Sequence, residues 1–354
     1  VGREESMLLA ASGLLSCALQ PQRVSLHRRD AVGLGLGLAA PAVAWPLAAP
    51  AVATSTVAAS TYASSTKLAD GLVFPLASFG LQIYDDATAE QLTLRALEAG
   101  FRNFFASALA QNQRGFARGV RASGIARDEL LICGSVVSNR ALDADTAYKL
   151  TASGCAENAQ AFAAGDVGPL DMIMLDYPGQ DDACIRAQWR AFEDFQAAGG
   201  ARSLAVSNFS PAQLDAILKE PGVRRRARPA VNQLPFCVGY HDPGIVAANQ
   251  RRGIHVQAWS PLGNGRLTRF LRDSADAKQV CAEVGAKHGK TAYQVALRWI
   301  AQSGASFTVE ARSAAHFGED LAIFDFELDA ADMAQLEAIN QQPRYERSVT
   351  GPDA

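Results

Sequence analysis

Eight short apolar runs recur after residue 100, and most are followed by a stretch whose apolar residues are spaced three or four apart. A run such as 172–175 is apolar at every position, as expected when both faces of a parallel strand are buried. The predicted strands are Arg102–Ser107, Leu130–Val136, Leu170–Asp176, Ser203–Ser207, Ala230–Leu234, His255–Ser260, Ser306–Glu310 and Ala322–Phe326. The predicted helices are Ala89–Ala99, Phe116–Ser123, Ala144–Ala164, Ile185–Ala198, Pro211–Leu218, Gly244–Arg252, Asp276–Gln302, Ala315–Asp320 and Ala330–Asn340.

Eight strand–helix units over about 250 residues are typical of an α/β protein of the (β/α)₈ barrel, or TIM barrel, type. An open doubly wound sheet is the alternative, but no GxGxxG motif follows the first predicted strand. In a barrel of this type the functional residues lie at the carboxyl ends of the strands. We therefore look for the chemistry of the protein at those ends.

Composition and charge exclude several classes of function. The 354 residues are 49% hydrophobic and 19% charged, with a net charge of −3. The densest basic cluster, residues 224–226, is interpreted as a solvated loop, so no nucleic-acid partner is expected. The six cysteines form no CxxC pair and no metal-ligand spacing with histidine, so we expect buried apolar side chains and no metal.

The N-terminal segment has the composition of a targeting signal. Between Met7 and Lys67 the only acidic residue is Asp30, and Arg28 and Arg29 precede an apolar run that ends in small residues before Thr54. Residues 1–53 are predicted to form a bipartite presequence whose second part resembles a twin-arginine signal. A plastid thylakoid lumen is the expected location, with a bacterial periplasm as the alternative. An uncleaved 31–53 segment would give membrane association.

The organisation of the chain follows from these patterns. A flexible linker is predicted at 54–71, the barrel at 72–345 and a C-terminal tail at 346–354. Seven stretches of the barrel region resemble the aldo-keto reductase family, in order and with the family's spacing. They are FPLASFGLQ (74–82), LEAGFRNFF (97–105), LAVSNFSPAQL (204–214), VNQ (231–233), QRRGIHVQAWSPLGNG (250–265), GKTAYQVALRWIAQSG (289–304) and FDFEL (324–328).

The resemblance implies a reductase that uses a nicotinamide cofactor and four catalytic side chains, and this sequence departs from all four. The family has a proton-donating Tyr, a Lys paired with an Asp that tunes the Tyr, and a His that orients the carbonyl. The Asp position holds Phe105, the Tyr position Ala110, the Lys position Ser135 and the His position Asp176. No catalytic residue is therefore assigned, and a carboxylate at Asp176 is expected to face water or backbone N–H groups.

Cofactor contacts implied by the resemblance are kept on one side only. The residues that hold the nicotinamide carboxamide in the family are matched by Ser207, Asn208 and Gln233. Trp259 matches the aromatic residue that stacks on the nicotinamide ring, and Ser260 and Leu262 match the pyrophosphate loop. On the adenosine-phosphate side, Glu310 replaces a Lys, Ala311 a Ser, His316 an Arg and Asp320 an Asn, while Glu319 is kept. The acidic Glu310 disfavours the 2′-phosphate of NADPH, whereas NADH is not excluded.

These losses predict a non-catalytic barrel that acts as a structural or interaction subunit. The expected protein partners are the other members of a plastid lumenal or thylakoid-associated assembly. No bound cofactor is expected on this reading. Two other readings stay open. The first is an NAD(P)H-dependent oxidoreductase with an atypical site, and the second is a sensor that binds NAD(H) without turnover.

Overall fold

The computed structural model describes residues 64–81, 84–106, 110–219, 227–263 and 275–339. Eight parallel strands close into a barrel, and a two-stranded hairpin, β1–β2, precedes them. The strands are β1 Ser65–Lys67, β2 Val73–Pro75, β3 Ala77–Gly80, β4 Asn103–Ala106, β5 Leu131–Val137, β6 Leu170–Asp176, β7 Ala201–Ser207, β8 Val231–Pro235, β9 His255–Trp259 and β10 Ser306–Val309. The helices are α1 Asp86–Ala99, α2 Gln113–Ser123, α3 Ala144–Ala163, α4 Asp182–Ala197, α5 Pro211–Leu218, α6 Ile245–Gln250, α7 Ala275–His288, α8 Ala292–Gln302, α9 Ala314–Leu321 and α10 Ala330–Glu337.

The barrel confirms the predicted (β/α)₈ class. Its strands follow one another in chain order from β3 to β10, and β10 closes the barrel by pairing with β3 through Thr308 and Ser78. Asp, Ser or Thr caps the amino end of α1, α3, α4, α5, α8, α9 and α10 by accepting a backbone N–H bond. These caps explain why the helices start where the sequence turns polar.

Two predicted elements are wrong, and one barrel strand was not predicted. Residues 322–326 form a turn rather than a strand, although the side chain of Ile323 is buried and Phe324 stacks on Phe307. The first barrel strand, β3, was absent from the prediction because its four residues include the small Ser78 and Gly80. The predicted helix 276–302 is divided into α7 and α8. Gly289 takes a left-handed φ of 65° at that break, and Thr291 caps α8.

The barrel interior is apolar toward the hairpin and polar toward the opposite end. The inner cluster comprises Leu68, Phe74, Phe105, Leu131, Cys133, Met172, Met174, Ala205, Ala230 and Val231. Leu68 and Phe74 come from the hairpin region, which lies against the first residues of the strands, as in the bond from Asn103 Nδ2 to the Pro75 carbonyl. The hairpin therefore covers the amino end of the barrel, and the carboxyl end is left for function.

Several sequence predictions concern residues at the ends of the chain. The presequence at 1–53, most of the linker and the tail at 346–354 lie outside the described residues. The end of the predicted linker is ordered, because residues 65–67 form β1. Among the helices that the structure describes, none combines the length and the apolarity needed to cross a membrane. The described cysteines are free and buried, in agreement with the prediction: Cys133, Cys155, Cys184, Cys237 and Cys281.

Candidate active site

The carboxyl ends of β6, β7 and β8 bring polar side chains into one row. In the strand register Asp176 lies opposite Ser207, and Ser207 lies opposite Gln233. Each of these residues is two positions beyond a member of the inner apolar cluster, Met174, Ala205 and Val231. Since side chains alternate along a strand, all three polar residues point into the barrel. The row therefore forms the inner wall of the barrel mouth.

Asp176 is a buried carboxyl group at the β6 end of this wall. Its side chain is only 3% exposed, and its Oδ1 accepts a bond from Asn208 Nδ2 at 3.0 Å. Burial raises the pKa of Asp176 to about 6, against the opposing effect of hydrogen bonds from Ser207, Asn208 and the Tyr177 backbone N–H. Of the two expected environments, water or backbone N–H groups, the structure shows the second, because the buried carboxyl accepts a bond from the Tyr177 backbone N–H.

Trp259 and Asn208 extend the wall into a hydrogen-bonded chain. The indole N–H of Trp259 donates to Asn208 Oδ1 at 2.9 Å, and the amide of the same Asn208 donates to Asp176. The bond to Asn208 fixes the orientation of the half-buried indole ring. Nearby, Gln233 Nε2 donates to Gln257 Oε1 at 2.8 Å. The buried Nε2 of Gln257 has no hydrogen-bond partner among the described residues.

Backbone strain concentrates at the same end of the barrel. Tyr177, Asn208 and Ser260 directly follow β6, β7 and β9, and their φ angles are 66°, 66° and 47°. Gln111, in the loop after β4, has a φ of 53°. Side-chain-bearing residues rarely adopt left-handed φ values, and such strain is often found at functional sites. The strain supports a functional role for this rim, independently of any side-chain argument.

The other three positions that correspond to the family's catalytic side chains carry no charge. Phe105 is 2% exposed and belongs to the inner apolar cluster, opposite Cys133 of β5. Ser135 is fully buried, and its carbonyl accepts a bond from Asn158 Nδ2 at 2.8 Å. Ala110 lies half-buried in a turn before α2. The place of the family's Asp is thus filled by apolar packing.

The predicted adenosine side surrounds the carboxyl end of β10 and α9. Glu310 and His316 are exposed, Ala311 and Asp320 are buried, and Glu319 is half-buried. Burial raises the pKa of Asp320 to about 7.

Sequence reasoning missed two residues in this region. The Arg312 guanidinium lies 5.1 Å from the centre of the Tyr84 ring. Burial of the Tyr84 phenol raises its pKa, the hydrogen bond with Arg312 opposes that rise, and the negative charge of Glu310 adds to it. Arg312 was detectable as the cation two residues after Glu310, whereas the contact with Tyr84 depends on the fold. Both charges follow the carboxyl end of β10, on the side that the resemblance assigns to the adenosine phosphate.

Histidines and metals contribute nothing to this wall. His241 is buried between Cys237 and Glu337, bonded to the carbonyl of the first and the carboxylate of the second at 3.0 Å. His255 starts β9 at the hairpin end, and burial lowers its pKa to about 4. Across the ranges that the structure describes, no group of three or more His, Cys, Asp or Glu side chains could hold a metal ion.

This barrel, with its functional wall at the carboxyl ends of the strands, belongs to the aldo/keto reductase family. The family's sequence model matches residues 72–341, which is most of the chain. Glyoxal reductase of Bacillus subtilis is 28% identical over 281 residues, covering 79% of this chain and 94% of its own. The 9,11-endoperoxide prostaglandin H2 reductase of Trypanosoma cruzi is 26% identical, covering 73% and 85%. An aldo/keto reductase structure from Brucella melitensis superposes with a TM-score of 0.66 at 24% identity, covering 78% of this chain and 99% of its own.

These relatives correct the functional prediction. The interpretation as a non-catalytic structural or interaction subunit is wrong, because the family and the named relatives are reductases and support an NAD(P)H-dependent oxidoreductase. The loss of the family's four catalytic side chains shows only that the family's own arrangement is missing. Their positions hold Phe105, Ala110, Ser135 and Asp176. This loss does not test whether another group at the same wall performs the chemistry.

Proposed function

We propose that this protein is an NAD(P)H-dependent oxidoreductase with an atypical active site, which reduces carbonyl compounds. The observation that carries the proposal is the assembly of Ser207, Asn208, Gln233 and Trp259 at one strained rim of the barrel. The resemblance of the sequence to the family implies that all four positions correspond to nicotinamide contacts. When bound, the reduced nicotinamide supplies the hydride.

The residues of the wall fit the nicotinamide end of such a cofactor. A carboxamide group needs both hydrogen-bond donors and acceptors, and Asn208 and Gln233 present both types through their amides. The orphaned, buried Gln257 Nε2 beside Gln233 is a further donor that a polar ligand could satisfy. Trp259 offers an aromatic face held in place by Asn208. The nicotinamide ring and its carboxamide would be held by Asn208, Gln233, Gln257 and Trp259.

The adenosine end favours NADH over NADPH. Glu310 is exposed directly after β10, at the position where the family places a phosphate-binding Lys. A carboxylate repels a 2′-phosphate and accepts hydrogen bonds from an unmodified ribose, as acidic residues do in other dinucleotide sites. Arg312 supplies a positive charge nearby, but it lies over the Tyr84 ring and next to Glu310. NADH is therefore the proposed cofactor.

Glyoxal is the first substrate to test, because one of the reductases similar to this chain carries that name. Titration of the full-length protein with NADH is expected to quench tryptophan fluorescence, with saturation between about 1 μM and 1 mM. Trp259→Phe should abolish most of the quenching, since Trp259 is the tryptophan at the wall. Trp189→Phe is the matched control, because Trp189 lies buried in α4 and its loss should leave the quenching intact.

Turnover distinguishes the enzyme from a sensor. Addition of glyoxal or a panel of simple aldehydes to the NADH complex is expected to oxidise the cofactor, followed by its near-ultraviolet absorbance. Quenching without oxidation by any aldehyde would favour the alternative of an NAD(H) sensor. Absence of both quenching and oxidation would contradict the proposal.

A location in the thylakoid lumen, or alternatively a bacterial periplasm, is proposed from the twin-arginine-like pattern at 28–53 alone. The expected mature protein begins near Thr54, and the mass of the chain isolated from its natural source tests this. An unprocessed N-terminus would contradict cleavage.

A further inference from the structure

We propose that the carboxyl group of Asp176 is the proton donor of carbonyl reduction, in place of the tyrosine that the family uses. This inference rests on the proposed function and concerns the same wall. In the reaction, hydride from the nicotinamide bonds to the carbonyl carbon, and the C=O π electrons move to the oxygen. That oxygen takes the proton of the Asp176 carboxyl, which gives the alcohol, the oxidised cofactor and a carboxylate that water reprotonates.

The position of Asp176 meets the geometric requirement for a proton donor. It is the last residue of β6, it points into the barrel two positions beyond Met174, and it is 3% exposed. Asn208, which bonds to Asp176, also bonds to the indole of Trp259. The carboxyl is thus one side chain removed from the aromatic face proposed for the nicotinamide. The two hydrogen bonds through Asn208 thus connect the carboxyl to the side of the wall proposed for the nicotinamide.

The surroundings of Asp176 keep its proton available. In the strand register Asp176 lies opposite Val137 on β5 and Ser207 on β7, with Asn208 following, and none of these side chains carries a charge. No described ion pair involves Asp176, and the causes of its pKa shift include no charged neighbour. The carboxyl of Asp176 itself contributes to the raised pKa of the Tyr177 phenol on the same loop. Burial without a cation raises the pKa of the carboxyl to about 6, so part of the population is protonated near neutral pH.

The other groups near the wall are poorer acids. Burial raises the pKa of the Tyr177 phenol to about 12, so it holds its proton too tightly for efficient transfer. Phe105 and Ala110 have no acidic proton, and Ser135 has only a hydroxyl. Tyr84 lies on the adenosine side, under Arg312. Among the described residues of the wall, Asp176 has the pKa closest to neutrality.

Asp176→Asn tests the assignment because asparagine keeps the shape and one acceptor oxygen but cannot give up a proton. At pH 6 we expect kcat/KM with NADH and aldehyde to fall by about 10²–10⁴-fold, with NADH affinity retained. The wild-type kcat/KM should decline as pH rises above about 6, whereas the residual activity of the variant should lose that dependence. Asp171→Asn is the control, since Asp171 lies on the same strand at the hairpin end, paired with Arg127 and Arg202. It should keep the wild-type kcat/KM and pH profile.

A second readout uses the protein without cofactor. Folding raises the pKa of Asp176 above its unfolded value. The contribution of this carboxyl to the stability of the folded state is therefore complete below about pH 4 and is lost as pH rises through about 6. Asparagine resembles the protonated form at every pH. The ratio of unfolding equilibrium constants, wild type over Asp176→Asn, is therefore expected to rise about a hundredfold between pH 4 and pH 8.

The outcomes separate this inference from the function on which it depends. If the wild type is active but Asp176→Asn retains its kcat/KM or its pH profile, the proton donor is another group and the reductase function stands. If the unfolding ratio is the same at pH 4 and pH 8, the pKa of Asp176 is not raised by folding, the group is ionised at neutral pH, and the inference is overturned whatever the activity. A wild type that oxidises no NADH with any aldehyde contradicts the reductase function itself.

Discussion

Phe105→Asp should destabilise the protein by about 3–5 kcal/mol, because it places an unpaired charge in an apolar interior. Phe105 is 2% exposed, and it packs in the cluster that contains Cys133 and Met174. Aspartate would fill less volume and would have no cation within the barrel wall that the structure describes. Urea denaturation measures the change, and Phe105→Leu, which removes volume but adds no charge, is the control. Its cost should be smaller, about 1–2 kcal/mol.

The pair that the family carries at these positions gives a sharper version of the experiment. Ser135→Lys alone should also be destabilising, since Ser135 is fully buried. The double variant, Phe105→Asp with Ser135→Lys, is expected to recover part of the loss through mutual neutralisation, with a coupling energy of about 1–3 kcal/mol. Strict additivity of the two single effects would show that the side chains do not meet, and that the two positions do not correspond to the family's ion pair.

Glu310→Lys should reverse the cofactor preference from NADH to NADPH. The change removes a negative charge facing the 2′-phosphate and adds a positive one, each interaction being worth about 1 kcal/mol or more near an exposed surface. We expect the affinity for NADPH to rise about tenfold to a hundredfold, as measured by fluorescence titration. Glu310 is exposed, so the folded state should tolerate the substitution.

Two internal controls accompany that measurement. Affinity for NADH should change little, since NADH carries no 2′-phosphate, and Glu310→Gln should give an intermediate gain for NADPH. The effect should weaken at high salt, because exposed charges are screened. An unchanged ratio of NADPH to NADH affinity in Glu310→Lys would place the adenosine end of the cofactor elsewhere on the rim.

Strands buried on both faces were the easiest elements to predict. Residues 170–176 were assigned with correct ends because the run is almost wholly apolar, as a central parallel strand must be. The same criterion failed for 322–326, whose apolar side chains bury against the barrel while the backbone forms a turn. It also failed for β3, whose inward residues are Ser78 and Gly80. An apolar run therefore predicts that its side chains are buried. It predicts a strand only when the neighbouring strands are known.

The sequence predicted where the residues of the candidate site lie, but not their burial or their hydrogen bonds. Motif spacing located Asp176, Asn208 and Trp259 at the carboxyl ends of their strands, which the structure bears out. The burial of Asp176 and its bond to Asn208 arise from the packing of two strands, which no single segment encodes. From the sequence alone the carboxyl was therefore expected to face either water or backbone N–H groups. The prediction of a non-catalytic subunit rested on the loss of four side chains, and the family and the reductases to which the chain is similar overturn it.

Transfer of deuterium from NADH labelled at the hydride position of its nicotinamide tests the proposed reductase most directly. The full-length protein would be incubated with the labelled cofactor and glyoxal, or the aldehyde that is reduced fastest, and the products analysed by mass spectrometry. We expect an alcohol that carries deuterium on the former carbonyl carbon, formed in an amount equal to the NADH oxidised. Oxidation of NADH without a deuterated alcohol, or no oxidation with any aldehyde, would contradict hydride transfer by this barrel.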